Sequence, residues 1–255
     1  MQGLNKQELV VINGPLNGGK TILFNLFKKD SNYICLDLTI DHYEIHEKEM
    51  FDLIGKSNTL GLKSAMEDHK IFQGIEVFFS EIGFLMKEFP YHNFVIKPGY
   101  ENLAQIRKDR PRYWEKIVKR YTTITPKDIH CFYAVRHPKM SWVTVGKHKR
   151  FGVDHFINFW NTEEVMEDLE RYTVVKIECL EYNDILKRLL NVDLSKVKSY
   201  TEFDLDFKKT NTYETLDQDF VKIEKELDHI FKYLIYDKDD DAIQEFLNEP
   251  VKDKI

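Results

Sequence analysis

The chain has 255 residues, 42% of them hydrophobic and 31% charged, which is length and apolar content enough to bury a substantial core. Its formal net charge of −6 argues against a dedicated nucleic-acid binder, which carries a basic excess, though it leaves room for a local basic pocket around a small anion. Cys35, Cys131 and Cys179 form no motif and sit in apolar runs, so buried reduced thiols are expected in place of a disulfide framework. No signal-peptide core opens the chain and no apolar run reaches membrane-spanning length, so a cytoplasmic protein without a membrane span is expected.

In chain order, Glu8 to Asn13 reads as a buried strand, rich in β-branched residues and stopped by glycine. Lys20 to Lys28 carries apolar residues at helical spacing. Tyr33–Leu38 is a second strand, and 41–90 is helical in pattern, broken by glycines at 55, 61 and 74. Asn93 to Lys97 is a third strand, followed by a helix over 101–121; Ile129 to Arg136 is a fourth strand, ended by His137-Pro138. A helix begins near Lys139, another covers 154–171, and Thr173 to Ile177 is a fifth strand. From about 183 the pattern is helical and charged, with a tail, 246–255, expected to fray. Strands alternating with helices predict an α/β fold, a central parallel sheet flanked by helices in three layers, as one domain over 1–255.

Between the first strand and first helix lies Gly14-Pro15-Leu16-Asn17-Gly18-Gly19-Lys20-Thr21, which fits the phosphate-loop pattern G-x-x-x-x-G-K-[ST]. Glycines let successive backbone N–H groups turn inward around an anion, and the following helix points its positive end at the same place. Lys20 adds a mobile charge and Thr21 a hydroxyl. A loop of this kind serves nucleotide hydrolysis, kinase chemistry and sulfonate transfer alike. The neighbouring strand ends, Ile96-Lys97-Pro98 and Val135-Arg136-His137-Pro138, are cationic where an NTPase would place an acidic metal ligand. Asp37 is the one well-placed acid. No metal is expected, and a ligand with several anionic groups fits best.

The segment Ala134-Val135-Arg136-His137-Pro138-Lys139-Met140-Ser141-Trp142-Val143-Thr144 resembles the sulfotransferase family, whose 3′-phosphate motif reads roughly V-R-[DH]-P-x-x-x-x-x-S. Arg136 matches its arginine and Thr144 stands where the serine is usual. Pro15 to Lys20 falls on the family's first loop, Lys97-Pro98-Gly99-Tyr100 on a third-strand segment, and Glu178 to Asp184 on a Y-E-D-L-like stretch. The first loop departs from the family in lacking a basic residue at Leu16, and no late R-K-G-x-x-G-type loop follows. The resemblance implies a P-loop fold binding 3′-phosphoadenosine 5′-phosphosulfate. Asn17 to Thr21 would take the phosphosulfate and Arg136 with Thr144 the 3′-phosphate. Lys20 and Lys97 would neutralise the developing charge. The acceptor would be a hydroxyl or amine of a small molecule or glycan. The family's base follows the second strand, where His42 is the first candidate and Glu44 and His46 stand behind it; a solvated polar helix face explains the same residues. Two other readings stay open: an ATP- and Mg²⁺-dependent P-loop kinase, suggested by Gly19-Lys20-Thr21 and Asp37, and a non-catalytic nucleotide-binding relative.

Overall fold

The apolar run Leu9 to Ile12, closed by Asn13, makes Leu9–Asn13 (β1) a strand buried at every position, the signature of a strand covered on both faces. The computed structural model describes residues 7–38, 86, 89–98, 129–146, 152–199 and 213–236. The further strands are Tyr33–Leu38 (β2), Asn93–Pro98 (β3), Ile129–Val135 (β4) and Thr173–Lys176 (β5). The strand pairs β2–β3, β1–β3 and β4–β5 are parallel, and the order along the sheet is β2-β3-β1-β4-β5. This is an α/β architecture on a parallel sheet, as the alternating pattern predicts. Among the described residues no helix is long and apolar enough to cross a membrane.

The chain divides into two units, Met1–Asn13 with Phe24–Cys131, and Gly14–Leu23 with Phe132–Ile255. In the first, β3 lies between β1 and β2. Val10 is level with Val95 and Asp37 with Lys97. Gln7 ties down the turn before β3: its side-chain nitrogen lies 2.9, 2.9 and 2.8 Å from the carbonyls of Met86, Phe89 and His92. An amide has only two protons for these three acceptors.

The second unit is built on β4 from Phe132 onward, on β5, and on helices Pro138–Gly146 (α2), Val153–Trp160 (α3), Glu163–Arg171 (α4), Asp184–Leu189 (α5), Tyr213–Glu226 (α6) and Asp228–Leu234 (α7). Its core joins Tyr133 and Val135 of β4 to Met140, Phe156, Trp160, Ile223 and Phe231. Two cross-links fix α6: Lys139 pairs with Glu224, and the Trp142 indole donates to Asp219 at 3.0 Å. The helix Lys20–Lys28 (α1) matches its expected bounds.

One expectation is corrected. The helical pattern over 154–171 is two helices, because Thr162 is extended and its hydroxyl accepts the Val165 N–H at 3.3 Å, an N-cap that starts a new helix. Glu163 and Glu164 in the first turn and Arg171 in the last complement the helix dipole. The expected helices over 41–90 and 101–121, the 246–255 tail, and His42, Glu44 and His46 lie outside the described residues.

Candidate anion site

The loop after β1 belongs to the second unit together with β4 and the helices that follow it. Its form follows from three glycines. A Cβ on Gly14 would stand 2.3 Å from the Ala134 carbonyl oxygen, so no side chain fits there. Gly18 is hemmed in by Pro15 and the same carbonyl. Gly19 has φ +90, a conformation that L side chains seldom adopt. Asn17 is itself left-handed at φ 54, where asparagine is among the most tolerant non-glycine residues.

The hydrogen bonds define which groups can face an anion. The Gly18 N–H donates to Pro15 O at 3.0 Å and closes a turn. Gly18 thus contributes its lack of a side chain, while its N–H, one of the expected donors, is spent within the loop. The Leu23 N–H donates to Gly19 O at 3.1 Å, so α1 winds directly from the loop and its first turn of N–H groups aims back toward it. The Lys20 ammonium donates to Gly14 O at 3.0 Å, a position from which it spans the loop. The Thr21 side chain is exposed.

Arg136 and Thr144, paired in the sequence only by a spacing of eight, meet directly. Nη1 of Arg136 donates to Thr144 Oγ1 at 2.8 Å, and the threonine hydroxyl lies 3.4 Å from Met140 O one helical turn back. Arg136 is only 2% exposed, and Thr144 is the more open member of the pair. His137 is fully buried, its ring 5.0 Å from those of Phe231 and Tyr236, which makes it a packing residue of the turn. Lys97 belongs to the first unit, where it is 3% exposed and its ammonium lies 5.4 Å from the centre of the Phe24 ring.

No protein-family model matches this chain, and no match is found among curated proteins. The site is therefore read from its own geometry.

Four further residues of this neighbourhood are given no role from the sequence. Ser141 Oγ lies 3.1 Å from Asn17 O and 3.4 Å from Arg136 O. The Trp160 indole donates to Leu16 O at 3.2 Å. Glu178 accepts the His137 N–H on one oxygen and the Tyr236 hydroxyl on the other, each at 2.8 Å. Burial holds the Glu178 carboxyl above its ordinary range, against the opposing pull of the His137 and Tyr236 donors and the Arg136 charge. Ser141 lies inside the 134–144 segment and Glu178 heads another, whereas Trp160 and Tyr236 belong to neither.

Among the described residues no group of three or more His, Cys, Asp or Glu side chains is placed to hold a metal ion. The glycines let the loop pack closely against Ala134, Pro15 and Ile177, and α1 begins at its end.

Proposed function

We propose that this chain is a sulfotransferase using 3′-phosphoadenosine 5′-phosphosulfate, acting on a hydroxyl or amine of a small molecule or glycan. The observation that carries this reading is the bonded Arg136–Thr144 pair following β4, in the same unit as a glycine-lined loop that opens a helix. Two anion-binding devices in one unit suit a donor with phosphate groups at both ends of its ribose. When bound, the donor supplies an activated sulfonate on a phosphate leaving group. The chain's own part is to bind and orient it. The Gly19 N–H and the start of α1 receive the 5′ anionic group, and the Lys20 ammonium, now on Gly14 O, neutralises charge there. Arg136 offers forked donors to the 3′-phosphate, with the Thr144 hydroxyl beside it. The base belongs to the segment holding His42, Glu44 and His46.

A kinase reading draws on Gly19-Lys20-Thr21, with an exposed threonine at the first turn of α1 where a Mg²⁺-linked hydroxyl would stand. Calorimetric titration separates the two. Adenosine 3′,5′-bisphosphate and ATP are titrated separately, each with and without Mg²⁺. Sulfonate transfer calls for bisphosphate binding that ignores Mg²⁺ and weakens in Lys20→Ala. Binding of ATP only with Mg²⁺, and indifference to the bisphosphate, would establish the kinase reading instead.

A further inference from the structure

We propose that Ser141 and Trp160 are positioning residues for the anion loop, holding it in its binding conformation from behind. The proposal rests on the reading of the loop as a phosphate site, but not on the donor being a phosphosulfate. In a planar trans peptide the C=O and N–H point in opposite directions, so fixing one aims the other. The Leu16 carbonyl is held by the Trp160 indole at 3.2 Å, which turns the Asn17 N–H away from Trp160. The next carbonyl, of Asn17, is held by Ser141 Oγ at 3.1 Å, while the N–H of that peptide closes on Pro15 O at 3.0 Å. Both peptides flanking Asn17 are thus pinned, and the left-handed residue between them, at φ 54, is kept in a conformation a free chain seldom visits.

Both anchors are themselves buried. Ser141 is 0% and Trp160 1% exposed, and the indole packs 5.8 Å from the Phe156 ring. The serine hydroxyl has one proton and two acceptors in range, Asn17 O and, at 3.4 Å, Arg136 O. It donates to one of them at a time, and Asn17 O is the nearer. A loop shaped in advance loses less entropy when its ligand arrives.

The test uses the full chain and inorganic pyrophosphate, which needs neither adenosine nor a sulfonate. Wild type, Ser141→Ala, Trp160→Phe and Thr162→Ala are compared by calorimetry and thermal melting. Thr162→Ala removes the N-cap of α4 and supplies a destabilised control that leaves the loop's bonds intact. Losing one aiming bond is expected to weaken pyrophosphate binding about five- to tenfold in each anchor variant, with Thr162→Ala binding as wild type does. Anchor variants that bind like wild type, an equal loss in Thr162→Ala, or no pyrophosphate binding by wild type would each overturn the proposal. The phosphosulfate reading fails separately, if pyrophosphate binds as expected but adenosine 3′,5′-bisphosphate does not.

Discussion

Lys97 at the end of β3 and Arg136 just past β4 are two cations buried almost equally, at 3% and 2% exposure, in surroundings of different kinds. The lysine in the first unit lies over an aromatic ring. The arginine in the second bonds a hydroxyl and stands near a carboxylate whose charge it favours. In sequence the two look alike, each a basic residue closing an apolar strand before a proline. The difference shows that two strand-end cations alike in sequence can be held by different kinds of partner, a ring face in one case and a half-buried hydroxyl in the other.

The largest expected effect breaks the comparison on the arginine side. Arg136→Met keeps the apolar stem and removes the charged donor on Thr144 Oγ1, which should cost about 2–3 kcal/mol in denaturant unfolding; a loss below about 1 kcal/mol would show that this bond adds little to stability. On the lysine side, Phe24→Leu removes the ring beneath the ammonium and leaves a small void. A loss of about 1–2 kcal/mol is expected, with the second unit's anion binding unchanged.

A smaller effect concerns pH. A carboxyl whose folded-state pKa is raised adds stability below its ordinary value near 4.5, and that contribution is lost as pH rises through the raised value. Wild-type stability should therefore fall as pH climbs above that point, and Glu178→Gln should flatten the curve. Parallel curves for the two proteins would assign the slope to other groups. The smallest effect is a gain. Ile235 is left-handed at φ 52 and 84% exposed, a poor conformation for a β-branched residue. It ends α7 just before Tyr236 reaches Glu178. Ile235→Gly should raise unfolding stability by about 1 kcal/mol, and no gain would mean the left-handed turn is unstrained.

The sheet strands were legible because buried parallel strands are short, mostly apolar runs, and Leu9–Asn13 and Tyr33–Leu38 are such runs, with Asn13 and Asp37 near their ends. The break at Asn161–Thr162 was hidden because apolar spacing continues across it, and only the cap chemistry of Thr162 marks the new helix. The loop was legible as a motif, since its glycines are required by contacts that any side chain would violate. Its internal bonding was not. Nothing in the order of residues shows that Gly18 spends its N–H on Pro15, or that Ser141, 124 positions beyond Asn17, would hold that residue's carbonyl. The Arg136–Thr144 bond follows from the local fold, because a strand-end residue and the second turn of the next helix are brought side by side.

The central claim, that Arg136 and Thr144 read a 3′-phosphate, is tested most directly by the affinity ratio of adenosine 3′,5′-bisphosphate to adenosine 5′-phosphate in wild type and Thr144→Val. A wild-type preference of tenfold or more for the bisphosphate, largely lost in the valine variant while adenosine 5′-phosphate binds unchanged, is the expected result. Equal affinity for the two nucleotides in wild type would contradict it.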